Sequence, residues 1–155
     1  MSDTLELQQE VEIANELKFV RFQLGEEHFA FSVDSVTGII KWREVTPLPN
    51  VESHLLGLGN LRGRTLPVTD LRLKMGVQSQ VSKEEGLIIV TEHQQNNVGL
   101  LVDTVLEVLT VDESDIQSEN LDVSTEMQGY VTGIVNINDV LISVVNIEKL
   151  VEVAA

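Results

Sequence analysis

Apolar and polar residues alternate with a period of two through residues 18–24, where Val20, Phe22 and Leu24 are separated by polar side chains. The alternation resumes at residues 28–33 after a short turn. A period of two places successive side chains on opposite faces of a β-strand, so the two segments predict a β-hairpin. Further apolar or alternating runs predict strands at residues 36–42, 65–69, 87–91, 98–102, 105–109, 130–137 and 140–145.

Turn and cap signals separate these predicted strands. Residues 57–63 contain three glycines and predict a tight turn, because glycine adopts positive φ without steric cost. Asp70 is placed to cap the N-terminus of a short helix that runs through Met75 and ends at Gly76. A second short helix is predicted at residues 147–151.

The remaining segments are polar or irregular. Residues 43–56 contain two of the three prolines and predict an irregular connection. Residues 112–129 carry six acidic side chains and predict a segment on the protein surface. Asp112, its first residue, is placed to cap the N-terminus of a helix. Residues 1–17 are rich in Glu and Gln, and they predict a frayed tail or a short amphipathic helix.

The two halves of the chain repeat one order of elements. Residues 33–36, Val-Asp-Ser-Val, match residues 102–105, Val-Asp-Thr-Val, at an offset of 69 positions. An offset of 76 positions relates Gly57, Asn60 and Leu61 to Gly133, Asn136 and Ile137. We therefore expect a single domain at 18–155, after the 1–17 segment, with one copy at about 18–76 and another at about 86–151. Neither copy is long enough to bury much core alone, so they should pack together.

Composition narrows the functional classes. The formal net charge of −15 disfavours binding to nucleic acid or to anionic lipid headgroups. The absence of cysteine removes disulfides and thiolate sites. The acidic N-terminus lacks the features of a signal peptide, and no apolar run is long enough to span a bilayer, so we expect a soluble, cytoplasmic protein.

Candidate chemistry is sparse. The three histidines, His28, His54 and His93, lack metal-ligand spacing and are expected to be solvated. Asp34 and Asp103 occupy equivalent positions in the two copies, which favours a turn or cap role for both. No nucleophile–base pair is evident, so we predict no catalytic, cofactor or metal site. A small β-barrel enzyme remains the rival reading.

Five segments, in one order, resemble the CheW-like family of chemotaxis coupling proteins. They are Phe-Gln-Leu-Gly at 22–25 with Phe-Ala-Phe-Ser-Val at 29–33, Val-Thr-Pro-Leu-Pro-Asn at 45–50, Gly-Leu-Gly-Asn-Leu-Arg-Gly at 57–63 with Leu-Pro-Val-Thr-Asp-Leu-Arg at 66–72, residues 98–105, and residues 141–150. The Asn-Leu-Arg-Gly element followed by Pro-x-x-Asp-Leu-Arg is the most specific of these.

This resemblance implies a mainly β fold with a few short helices, in which two five-stranded SH3-like β-barrels intertwine. It also implies a non-enzymatic scaffold that couples chemoreceptor cytoplasmic tips to the regulatory domain of the histidine kinase CheA. By resemblance, the receptor-binding residues are Arg62, Val36, Gly38, Ile39, Val105 and Val108. The kinase-binding residues are Trp42, Val45, Pro47 and Leu48.

One departure from the family pattern keeps a second pathway open. The family usually has Glu in its Val-x-Glu-Ile motif, and Gly38 stands there in this chain, whereas Glu107 is the equivalent in the second copy. The alternative is therefore a CheW-like adaptor of twitching motility or of another chemosensory cluster. Self-association into rings is a further possibility and is compatible with the chemotaxis coupling role. Membrane contact is expected only through the receptors.

Overall fold

Ten β-strands dominate the computed structural model, which describes residues 16–154. The strands are β1 Glu16–Leu24, β2 Glu27–Ser32, β3 Val36–Lys41, β4 Leu55–Leu61, β5 Arg64–Asp70, β6 Leu87–His93, β7 Asn96–Val102, β8 Thr104–Asp112, β9 Val131–Ile137 and β10 Val140–Val145. Two α-helices, α1 Leu71–Met75 and α2 Ile147–Ala154, follow β5 and β10. The predicted tail or helix lies outside the described residues, except that β1 already begins at Glu16. No helix within residues 16–154 is long and apolar enough to cross a bilayer.

The strands form two five-stranded sheets. Sheet I has the order β8-β1-β2-β10-β9, and sheet II has the order β3-β6-β7-β5-β4. Sheet I takes two of the first five strands and three of the last five, and sheet II takes the complementary set. Within residues 16–154 the outer strands of each sheet do not pair with each other, so each sheet is an open SH3-like unit. The predicted intertwined, mainly β fold is confirmed.

An internal twofold likeness relates the two sheets. Each has one parallel pair, β2 with β10 in sheet I and β7 with β5 in sheet II. Ala30 is opposite Val144 in the first pair, and Gly99 is opposite Val68 in the second. Gly99 lies 69 positions after Ala30, and Val68 lies 76 positions before Val144. The two sequence offsets therefore hold in three dimensions, down to the strand register.

Three apolar clusters form the core. Phe19 and Ile142 belong to a cluster inside sheet I, and Leu66 and Ile88 belong to one inside sheet II. The largest, which we call the central cluster, combines residues of both sheets with residues of both helices. Its aromatic members are Phe22, Phe29 and Phe31. Because the two sheets share this cluster, neither unit has a complete core by itself.

Local sequence signals located both ends of α1 correctly, whereas α2 runs to Ala154, three residues beyond its predicted end. The Asp70 carboxylate accepts a hydrogen bond from the backbone N–H of Arg72, and Gly76 ends α1 in the left-handed region at φ 69°. Asp112 likewise caps a 3₁₀ turn at Glu113–Asp115 by accepting from the Ser114 N–H. The predicted capping chemistry is therefore confirmed at these ends.

Two connections differ from the prediction. Residues 57–61 belong to β4, and only Arg62 and Gly63 form the turn. The glycines concealed the strand pattern, because they carry no side chain to alternate. The polar excursion at 112–129 also contributes to the core, since Met127 is buried in the central cluster and Leu121 and Val123 pack against it.

Candidate partner-binding surface

Arg62 stands at the tip of the hairpin between β4 and β5. Its φ is 53° and that of Gly63 is 80°, so both turn residues have positive φ. The Asn60 side-chain oxygen accepts a hydrogen bond of 2.9 Å from the Gly63 N–H and holds the turn closed. Positive φ costs a non-glycine residue free energy, so the turn conformation by itself favours glycine at position 62. The turn therefore gives no reason for the exposed arginine that stands there.

The second half of the chain contains the same turn without an arginine. Asn138 and Asp139 join β9 to β10 with φ values of 51° and 69°. The Asn136 side chain accepts a hydrogen bond of 3.0 Å from the Asp139 N–H. Asn138 therefore provides a matched position at which the turn geometry is retained and the guanidinium is missing.

A β-bulge brings two of the predicted receptor-binding residues to one face of β3. Val36 and Ile39 lie three positions apart, which in a regular strand places them on opposite faces. The register against β6 shifts between Val36 and Gly38. Their partners on β6 are Thr91 and Ile89, which lie two positions apart. Val36 and Ile39 therefore share one face, with Val36 against the central cluster and Ile39 45% exposed.

Strand β8 repeats this arrangement. Val105 is opposite Phe22 and Val108 is opposite Val20, with a register shift between the two pairs. Val105 packs against the central cluster, whereas Val108 is 54% exposed. On each edge strand, one of the two predicted receptor-binding residues is anchored in the central cluster and the other is exposed.

Gly38 lies on the other face of β3. It lines an open cavity of about 470 Å³ together with Arg62, Arg64, Ile40 and Leu66. A Cβ at Gly38 has no neighbouring atom within 4 Å. The structure therefore brings Gly38 and Arg62 together, and separates Gly38 from the face that carries Val36 and Ile39.

The predicted kinase-binding segment is attached to β4. Trp42 and Val45 are half-buried against the sheet II cluster, and the Lys83 amine lies 5.5 Å from the centre of the Trp42 ring. Pro47 is exposed and Leu48 is half-buried. Of the four predicted kinase-binding residues, Pro47 is therefore the most exposed.

The attachment depends on Gly57. The backbone N–H groups of Thr46 and Leu58 each donate a 2.9 Å hydrogen bond to the other residue's carbonyl oxygen. An ideal Cβ on Gly57 stands 2.3 Å from the Thr46 carbonyl oxygen, so any side chain at this position separates the segment from β4. Gly57 was predicted to supply a turn, and its role is instead this close approach of two backbones.

Sequence reasoning missed a charged cluster on sheet I. The Arg21 guanidinium donates to Glu107 at 2.8 Å and to His28 Nδ1 at 3.2 Å. Burial and the nearby Arg21 charge lower the pKa of His28, so its neutral form accepts this bond. His28 is therefore half-buried and paired, and the prediction that it is solvated is wrong. The three residues come from β1, β2 and β8, so only the sheet pairing brings them together.

The two equivalent aspartates differ in role. Asp34 is exposed, whereas Asp103 is buried and accepts hydrogen bonds from the Gly25 N–H at 2.7 Å and the Ser79 hydroxyl at 2.6 Å. The Arg72 guanidinium donates hydrogen bonds to both Asp70 and Asp103. The hydrogen bond to Asp70 and the charge attraction of the carboxylates raise the pKa of this guanidinium. This network supports the fold. Within residues 16–154 no group of three or more His, Asp or Glu side chains is arranged to hold a metal ion.

Comparison with known proteins identifies similar chains. A model of the CheW-like domain matches residues 18–155. The chemotaxis protein CheW of Thermotoga maritima is 33% identical over 137 residues, which are 88% of this chain and 89% of that protein. CheW of Bacillus subtilis is 30% identical over 141 residues, 91% of this chain and 90% of that protein. The crystal structure of the scaffolding protein TtCheW from Thermoanaerobacter tengcongensis superposes with a TM-score of 0.76 at 31% identity, covering 84% of this chain and 88% of that one.

Proposed function

The chain belongs to the CheW-like domain family, and from this membership we propose that it joins chemoreceptor cytoplasmic tips to a CheA-like histidine kinase in the cytoplasm. Its role is that of a chemotaxis coupling scaffold, and it is not an enzyme, in keeping with its CheW relatives and with the scaffolding protein whose structure it shares. What we propose is the identity of the two partners, the receptor tip and the kinase, together with the surfaces of this chain that bind them.

One structural relationship carries the proposal. The kinase-facing segment is bonded at Thr46 to Leu58 of β4, and the same strand leads four residues later into Arg62, the proposed receptor contact. A paired strand is rigid over this distance, because the hydrogen bonds to β5 hold it in register. The position of a receptor tip is therefore transmitted to the kinase through one strand.

The proposed receptor surface combines charge with exposed apolar side chains. Arg62 provides a guanidinium suited to a carboxylate, and Ile39 and Val108 provide exposed contacts for the apolar face of a helix. The proposed kinase surface is Pro47 and Leu48, supported from below by Trp42 and Val45. Single contacts of this size bind weakly, and the repeated contacts of an array strengthen the assembly.

A calorimetric titration tests the function. The purified chain is titrated with the regulatory domain of the cognate kinase, with a receptor tip fragment, and with each partner in the presence of the other. We expect both partners to bind at once, with dissociation constants below about 50 µM. Mutually exclusive binding, or no binding at that concentration, contradicts the proposal. Co-purification with the kinases of the same cell separates the main chemotaxis pathway from twitching motility or another chemosensory cluster.

A further inference from the structure

The two sheets carry different chemistry at equivalent positions. Adding 69 to Arg21 and His28 gives Val90 and Asn97, and subtracting 69 from Glu107 gives Gly38. In sheet I, Arg21, His28 and Glu107 form the hydrogen-bonded charged cluster. In sheet II the equivalent three line the 470 Å³ cavity. The cavity therefore occupies the place that a charged side chain fills in the other half of the molecule.

Positive charge is present at this cavity without an internal partner. Arg62 and Arg64 both line it from the β4–β5 hairpin. Across residues 16–154 neither guanidinium forms an ion pair or a hydrogen bond. Glu92 is the one acidic residue of the lining, so the cavity is locally cationic in a chain of net charge −15.

We propose that this cavity binds the carboxylate of a glutamate or aspartate side chain supplied by the partner protein. The proposal rests on the proposed function and takes the receptor tip as that partner. Guanidinium groups bind carboxylates through paired N–H donors. Ile40, Leu66 and Val90 provide apolar wall for the aliphatic part of such a side chain. Glu92 repels the incoming charge from its own side and directs it toward the arginines.

Gly38 is then the residue that determines partner specificity. In sheet I the equivalent carboxylate, Glu107, comes from the chain itself and neutralises Arg21 at 2.8 Å. In sheet II the missing side chain leaves space and positive charge for a carboxylate in trans. A partner without an acidic residue at this point leaves Arg62 and Arg64 desolvated and unpaired, which disfavours binding.

A partner-free experiment tests the cavity itself. The Gly38→Glu variant places a carboxyl at the cavity, where a Cβ meets open space. Its pKa is measured by NMR titration, alone and combined with Arg62→Met and Arg64→Met. We expect a pKa below that of an unpaired glutamate in the single variant and a return toward the ordinary value in the triple variant. A carboxyl that titrates normally in the single variant overturns the proposed site.

A second experiment tests the source of the carboxylate. Receptor tip fragments are titrated into the natural chain, Gly38→Glu and the uncharged control Gly38→Gln, with melting temperatures measured for all three. We expect Gly38→Glu to weaken binding at least about tenfold more than Gly38→Gln, because the introduced charge occupies the site and repels the incoming one. Equal weakening overturns the trans carboxylate.

A third variant covers the case in which Gly38→Glu does not fold. Arg64→Met is expected to weaken tip binding about fivefold, and Lys41→Met, an exposed cation at the end of β3, is expected to leave it unchanged. Equal effects of the two variants overturn the site. A natural chain that fails to bind the tip refutes the proposed function, whereas the NMR titration still decides whether the cavity prefers a carboxylate.

Discussion

Arg72 and Asp103 form a buried ion pair in which the guanidinium Nη1 lies 3.3 Å from a carboxylate oxygen. The pair joins the first residues of α1 to the connection between β7 and β8. The other oxygen of Asp103 accepts a hydrogen bond from the Gly25 N–H in the β1–β2 turn. One side chain therefore links both sheets and α1, which explains why an acidic residue is buried in a scaffold without catalytic chemistry.

Replacing Asp103 with Ala should destabilise the fold by about 2–3 kcal/mol, because it leaves the partly buried Gly25 N–H without its acceptor and removes one of the two carboxylates that pair with Arg72. Urea denaturation measures the change. Asp34→Ala is the matched control, since Asp34 is the sequence equivalent and is exposed. We expect the control to change stability by less than about 0.5 kcal/mol. Similar losses in both variants contradict the assigned role of Asp103.

Lys74 should make stability rise with pH in alkaline solution. Burial lowers the pKa of its amine to about 8, and the nearby Glu52 carboxylate opposes this shift. The unfolded chain keeps the proton up to an ordinary pKa of about 10.4, so between these values the unfolded state binds more protons and rising pH favours folding. The neutral amine still donates its 2.6 Å hydrogen bond to the Leu150 carbonyl oxygen.

Urea denaturation at about pH 7 and about pH 9.5 measures this effect, which we expect to be on the order of 2 kcal/mol. Lys74→Met is the control, because it removes the titrating amine and retains an apolar side chain. The variant should lack the rise that the natural chain shows. Parallel pH profiles of the two proteins exclude Lys74 as the cause.

Arg62→Glu should abolish receptor coupling and leave the fold intact. Arg62 is exposed at the tip of its turn, so we expect a stability change within about 0.5 kcal/mol, and a loss of about 2 kcal/mol or more in binding to the receptor tip. Asn138→Glu introduces the same charge in the equivalent turn of the other half, at nearly the same φ. It should leave binding unchanged. A large fall in melting temperature for Arg62→Glu alone shows instead that Arg62 is structural.

Pro47→Asp should weaken binding to the kinase regulatory domain by about tenfold, since Pro47 is an exposed residue of the proposed contact. Val51→Asp is the control, because Val51 is an exposed apolar residue of the same connection outside that contact. Surface plasmon resonance with the immobilised kinase domain compares them. If both variants weaken binding equally, the contact is misplaced along the segment.

The two glycines of β4 should respond in opposite directions to alanine. A Cβ at Gly59 meets its nearest atoms at 3.6–3.7 Å, an ordinary contact distance, so Gly59→Ala should stabilise the fold by about 0.4–1 kcal/mol. Gly57→Ala should destabilise it by about 2 kcal/mol or more, because the new Cβ overlaps the Thr46 carbonyl oxygen. Thermal denaturation compares the two. Equal melting temperatures contradict the close approach at Gly57.

The sequence by itself determined the local elements and the repeat. The alternation at Val20, Phe22 and Leu24 required only neighbours along one strand, and the capping of α1 by Asp70 required only the next two residues. The offsets of 69 and 76 positions were likewise readable from the letters alone. Each of these signals is local, because strand period and helix capping depend on a few consecutive residues.

Only the tertiary structure decided how the copies exchange strands and which side chains meet. The bulge that puts Val36 and Ile39 on one face exists because β3 pairs with β6, a strand of the other copy. The pairing of Arg21 with Glu107 spans 86 positions, and the open space at Gly38 is defined by strands of both halves. Such contacts follow from sheet register and core packing, which no short stretch of sequence encodes.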